Sequence, residues 1–154
     1  MNAAEAFFDT NVVLYLLSAD AAKADRAEEL VAAGGVVSVQ VLNEFVAVAS
    51  RKLRMTWPEM REVLAQVRAL CRVEPVSVDT HEHAMHLAQR YGLSFYDALI
   101  VAAALLAGCK VLYSEDMQHG QVIERQLTIR NPFTPAPSPA GAAPATQKRR
   151  GRAG

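Results

Sequence analysis

An α/β fold, a parallel sheet covered by helices on both faces, is what this sequence predicts. Short apolar segments of strand type alternate with helical segments through residue 131, and parallel strands need crossover helices that cover the sheet. Two helical segments are apolar nearly all round, the mark of buried helices. The 154 residues, 51% hydrophobic and 21% charged, suit one domain with a substantial core.

The elements follow in order. Ala6 to Asp9 reads as a buried strand, and Thr10 to about Leu17 as an apolar helix. A second helix, Asp20 to Ala33, ends at Gly34-Gly35 as a C-cap. Val36-Val37 is a brief strand, and Ser38 is an N-cap for a helix reaching Ser50. Thr56-Trp-Pro-Glu59 is a capping box that opens a helix to about Leu70. A strand is expected at Val73 to Val76, and a helix from Thr80 to Tyr91 closed by Gly92. Ser94 to Ala107 is a helix stopped by Gly108, followed by strands at Val111 to Tyr113 and Leu127 to Ile129. From Pro132 to Gly154 composition changes: five of the seven prolines, no acid, and Lys148, Arg149, Arg150 and Arg152 at the end. The expected organisation is a domain over 1–131 and a disordered Pro/Ala-rich tail with a basic end over 132–154.

Sixteen basic residues balance sixteen acidic ones. The neutral total hides an asymmetry, because the tail carries four positive charges and leaves the domain at −4. The longest apolar run, Ala98 to Cys109, is twelve residues, too short for a membrane span. No Lys or Arg precedes Lys23, so a signal-peptide n-region is not expected. Cys71 and Cys109, 38 residues apart in apolar surroundings, read as buried thiols in a reducing cytoplasm.

Three stretches, 6–19, 30–50 and 91–109, hold one charge each: Asp9, Glu44 and Asp97. At the average charge density they would hold about eleven. Isolated carboxylates in apolar segments are costly unless a cation or hydrogen bonds offset them, and these segments contain no Lys or Arg. Local explanations exist for two. Asp9 can cap the helix that follows, and Ser94-Phe-Tyr-Asp97 matches a capping box. Glu44, inside its helix, has none. Ser114-Glu115-Asp116 follows a late strand, and the carboxyl edge of a parallel sheet is where ligands bind. One acidic pocket of Asp9, Glu44, Asp97 and Asp116, with Glu115 as a possible fifth member, is therefore expected.

FFDTNVVLYLL, SVQVLNEF, YGLSFYDALIVAAALLAGC, VLYSEDMQHG and LTIRNPF, in this order and spacing over residues 5 to 133, together resemble a PIN-domain ribonuclease, most closely the VapC-type toxins of toxin–antitoxin pairs. The resemblance implies a three-layer α/β/α sandwich with a central parallel sheet and a carboxylate cluster that binds Mg²⁺ or Mn²⁺. By position it assigns the acids of that cluster to Asp9, Glu44, Asp97 and Asp116. Thr10, Asn11 and Ser114 fall where small polar residues orient the cluster, and Glu115 is left open as a ligand. It also implies an RNA substrate, a small cognate antitoxin and a homodimer. The donor chemistry agrees, since hard oxygens without a convergent His or Cys set suit Mg²⁺ or Mn²⁺ over Zn²⁺. Such ions activate water for phosphodiester hydrolysis.

Arg54, Arg61 and Arg68 recur every seven residues, with Arg51, Lys52 and Arg72 close by. They form either an RNA-phosphate stripe or a solvated helix face. His81, His83 and His86 do not make HExxH, because Met85 holds its last position. His119, just after Ser114-Glu115-Asp116, is either a substrate contact or, the stronger reading, an exposed loop histidine. A receiver domain would need adjacent acids after the first strand and a late lysine, and a haloacid-dehalogenase phosphatase a second Asp two residues after Asp9; Asp9-Thr10-Asn11 and Ser114-Glu115-Asp116 supply none of these. A noncatalytic RNA- or protein-binding domain on the same fold is the alternative to an enzyme.

Overall fold

The computed structural model describes residues 6–133. The expected tail lies, past Phe133, outside the described residues. In order, the elements are β1 (Ala6–Phe8), α1 (Thr10–Leu14), a 3₁₀ turn (Tyr15–Leu17), α2 (Ala21–Ala32), β2 (Gly35–Ser38), α3 (Val39–Arg51) and α4 (Trp57–Leu70). They continue with β3 (Cys71–Glu74), α5 (Val78–Tyr91), α6 (Phe95–Leu106), β4 (Val111–Tyr113), β5 (Val122–Ile123) and β6 (Leu127–Arg130).

The sheet runs in the order β3-β2-β1-β4-β6-β5. Every pairing is parallel except β5 with β6, with Phe7 beside Val36 on one side and Leu112 on the other. Successive strand residues face opposite sides of a sheet. Phe7 and Phe8, and likewise Val36 and Val37, are all buried, so helices cover both faces and the layered α/β/α architecture holds. Phe45, Ile100, Leu112 and Ile129 join them in the core.

The caps behave as their chemistry requires. Asp20 and Ser38 cap α2 and α3, Thr56 and Glu59 form the reciprocal box on α4, and Gly92 ends α5 in the left-handed region. Several expectations change. The first helix gives way to a 3₁₀ turn after Leu14. The third strand is Cys71–Glu74 rather than Val73 to Val76, because Pro75 has no N–H for the ladder. α5 then starts at Val78, two residues ahead of the expected Thr80, with Ser77 capping it through a box with Thr80. Finally, β5 makes the sheet mixed at one edge, folding back through Glu124 and Arg125, both left-handed, with Gln126 N donating to Ile123 O at 3.0 Å.

Gly34, at φ +88°, terminates α2, but Gly35 belongs to the sheet. A Cβ there would lie 2.8 Å from both Ala6 O and the Phe8 ring, so β1 and β2 approach closely only over glycine. The two apolar helices also differ. Ala98 to Ala104 are all buried, whereas α3 buries only Val41, Phe45 and Ala49 and leaves Asn43 and Ala47 exposed. Its other face borders a cleft.

No helix among the described residues is long and apolar enough to cross a membrane. Cys71 and Cys109 are buried and not joined in a disulfide, and burial pushes the Cys71 thiol up to about 11.

Candidate active site

Strand order reverses between β1 and β4, the switch point where open α/β sheets bind ligands. Asp9 leaves β1 there, its N–H continuing the ladder to Tyr113 O at 3.0 Å. Ser114, Glu115 and Asp116 leave β4 beside it. Residues 105 positions apart in sequence thus become neighbours by strand pairing alone.

Asp9 is 4% exposed. One carboxylate oxygen accepts from Thr10 N at 2.7 Å as the α1 cap; the other accepts from Ser114 Oγ at 2.7 Å and Asn11 Nδ2 at 3.3 Å. Burial pushes its carboxyl up to about 6, against the bonds from Ser114 and Thr10, with Asp97 and Glu44 adding to the rise. Glu44 accepts from Thr10 Oγ1 at 2.6 Å and Gln40 Nε2 at 3.1 Å. Asn11 Nδ2 also donates to Asp116 at 3.2 Å, and Asn11 Oδ1 accepts the Glu115 N–H at 3.2 Å. Buried Ser114 accepts from the backbone N–H groups of Asp116 and Met117, both at 3.2 Å.

Asp97 lies in the first turn of α6, where its N–H donates to Ser94 Oγ at 3.2 Å. Burial raises its carboxyl, Ser94 opposes the rise, and Asp116 and Glu44 reinforce it. The four expected acids are therefore electrostatic neighbours. Among the described residues, no ion pair includes any of them. Glu115 behaves differently: its carboxylate accepts from Tyr15 Oη and from Lys23 Nζ, the latter at 3.0 Å. The Tyr15 bond and then Lys23 hold it below the usual carboxylate range.

A cleft of about 580 Å³ opens beside the acids, lined by Asn11, Glu44, Asp116, Asn43, Arg51 and Tyr96, with Leu14, Ala47 and Val48 among its apolar walls. Arg54, Arg61 and Arg68 do not line it. Arg61 and Arg68 lie exposed on α4, Arg54 sits before it at φ 53°, and Arg72 pairs with Glu74 at 3.1 Å. Arg51 is the cation the cleft contains. Tyr15, Lys23 and Tyr96 were not singled out by sequence. Only Tyr96, next to Asp97, carried a local signal.

Oxygen donors without a cationic partner suit a hard divalent ion. As these side chains are placed, no three His, Cys, Asp or Glu groups among the described residues converge to hold one. The acids instead spend oxygens on Thr10, Asn11, Gln40 and Ser114. The donor chemistry fits Mg²⁺ or Mn²⁺, and the rotamers are those of a hydrogen-bonded cluster. The histidines form no second centre: His81 packs on Phe95, His83 Nδ1 lies 3.0 Å from Asp79 O, and His119 Nδ1 accepts from Asn131 N at 2.9 Å.

A family model described as PIN domain matches residues 6–123. The chain belongs to the PIN domain family. Among solved structures, this PIN-domain chain is similar to a chain of a toxin–antitoxin complex from Klebsiella pneumoniae, at 25% identity and TM-score 0.62, covering 83% of this chain and 98% of that one. It is also similar to VapC20 from Mycobacterium tuberculosis, described as a sarcin–ricin loop cleaving toxin. There the identity is 26% and the TM-score 0.57, over 72% of this chain and 89% of that one. A chain of VapBC2 from Rickettsia felis, bound to a promoter DNA fragment, shares the fold at 16% identity and TM-score 0.58, over 82% and 98% of the two chains. A search of curated protein sequences finds no match.

Proposed function

We propose that this PIN-domain protein is an endoribonuclease dependent on Mg²⁺ or Mn²⁺, acting as the toxin of a toxin–antitoxin pair. The observation that carries the reading is the meeting of Asp9, Glu44, Asp97 and Asp116 at the sheet switch point, without a cationic partner among the described residues and beside an open cleft. Asp9, Asp97 and Asp116 would be the main oxygen ligands, and Glu44 would bind a second ion or orient the attacking water. When bound, the metal supplies a water of lowered pKa and neutralises charge on the leaving oxygen.

The chain's own groups do the rest. Ser114 and Thr10 hold Asp9 in one orientation, Asn11 ties Asp9 to Asp116, and Thr10 with Gln40 directs Glu44. Arg51 takes a backbone phosphate, drawing a polyanion into an otherwise acidic cleft. Exposed Tyr96 offers a face on which a base of single-stranded RNA stacks. Hydrolysis leaves a 3′-hydroxyl and a 5′-phosphate. The likeness to a sarcin–ricin loop cleaving toxin and to a chain of a toxin–antitoxin complex supports an RNA substrate and an antitoxin partner; a homodimer in the cytoplasm, with the antitoxin a small protein, completes the proposed reading.

Purified protein incubated with total cellular RNA and Mg²⁺ or Mn²⁺ should give discrete fragments, abolished by EDTA and by Asp9→Asn. Full metal-dependent cleavage by Asp9→Asn would overturn the assignment. The unconverged side chains favour a second reading, a noncatalytic RNA- or protein-binding domain on this fold; binding of RNA without cleavage under these conditions would select it.

A further inference from the structure

The turn after β4 carries two adjacent acids that point in different directions. Asp116 lines the cleft, while the Glu115 carboxylate is bonded to Tyr15 and Lys23. We infer that Glu115 is no ion ligand but a positioning residue that, with Lys23 and Tyr15, anchors this turn and so aims Asn11 and Asp116. The inference rests on the metal-dependent reading of the site above.

Each oxygen of the Glu115 carboxylate has its own donor, Tyr15 Oη on one and Lys23 Nζ on the other. Lys23 also donates to Tyr15 Oη at 3.2 Å and lies 4.5 Å from the Tyr15 ring centroid. Phe133 packs edge-on against the same ring at 4.7 Å, so the anchor joins the 3₁₀ turn, α2 and the closing segment. Partly exposed ion pairs of this kind contribute little to stability. The use of this one is directional.

Direction passes through the backbone. With Glu115 held, its N–H meets Asn11 Oδ1 at 3.2 Å. An N–H pairs with an amide oxygen and not with an amide NH₂. This bond therefore selects one of the two flips of the Asn11 amide. In that flip Asn11 Nδ2 faces Asp9 and Asp116, as observed. The same cation removes Glu115 as a rival acceptor: it is the only acid of the expected pocket that has an ion-pair partner among the described residues.

Mn²⁺ titration of the full chain by calorimetry, paired with amide hydrogen exchange on the metal-free protein, tests this. Glu115→Ala and Lys23→Met should each weaken Mn²⁺ binding about tenfold, the scale of lost support behind a ligand, and speed exchange at the position 115 amide. Lys23→Arg should restore most of both, and Glu115→Gln, which keeps a carbonyl oxygen for the cluster, should stay within about threefold of wild type. Loss in Glu115→Gln as large as in Asp116→Asn would make Glu115 a ligand and overturn the inference. So would unchanged affinity and unchanged exchange in Lys23→Met. If the wild-type chain takes up no Mn²⁺, the metal reading falls, and the exchange measurement still decides the anchor.

Discussion

Asp9 is buried with three hydrogen-bond donors and no cation. Its carboxyl titrates near 6 in the fold against 3.8 when unfolded, so the native state binds the proton more tightly. Below pH 4 both states are protonated and stability is unaffected. As pH rises from about 4 to 6 the folded protein must ionise a buried group, and stability falls by up to about 3 kcal/mol. The metal-free chain should therefore show a falling urea midpoint across that window, and Asp9→Asn should flatten the profile. An identical slope in the variant would show that Asp9 is not the group responsible. Among individual residues, Asp9, Glu44 and Asp97 were legible because each is the single charge in a long apolar stretch, a property of composition. Lys23 was not. Its partner is 92 positions away, and nothing local distinguishes it from a solvated helix lysine.

At the scale of elements, two backbone positions make the sharpest tests. Gly35→Ala would drive a methyl against the Ala6 carbonyl and the Phe8 ring, both at 2.8 Å, and should cost about 1–3 kcal/mol in chemical denaturation. Wild-type stability in that variant would mean β1 and β2 can separate freely. Arg125, exposed at φ 57° in the β5–β6 turn, is the reverse case. Gly tolerates the left-handed conformation, so Arg125→Gly should stabilise the protein by about 1 kcal/mol, read as a higher denaturation midpoint. The caps at Ser38, Thr56 and Gly92 were readable because capping is local chemistry within four residues. Antiparallel β5 was not, because its two residues pair only once β6 is in place. α3 reads as a largely buried helix, yet one of its faces borders the cleft, since an apolar face looks the same in sequence whether it meets a core or a cleft wall.

For the whole molecule, the order β3-β2-β1-β4-β6-β5 concentrates negative charge at one point of the sheet edge, which on the proposed metal-dependent function would couple ion binding to folding. On the metal-dependent reading, an ion held by Asp9, Asp97 and Asp116 would bind the native state and not the unfolded chain. At a hundred times its dissociation constant, Mn²⁺ should add about 2.7 kcal/mol, raising the thermal midpoint by several degrees. Asp116→Asn should reduce the shift. A midpoint indifferent to Mn²⁺ in the wild-type chain would argue for the noncatalytic reading.

From the sequence alone come the alternation of strands and helices and the identity of the carboxylates stranded in apolar segments, because periodicity, capping and charge density are local properties of the chain. Tertiary structure alone decides direction. Asp116 faces the cleft and Glu115 is bonded to Tyr15 and Lys23; Arg51 lines the cleft and Arg54, Arg61 and Arg68 do not. The physical reason is that a side chain's orientation is set by the partners packed around it, and here those partners come from segments up to 105 residues distant.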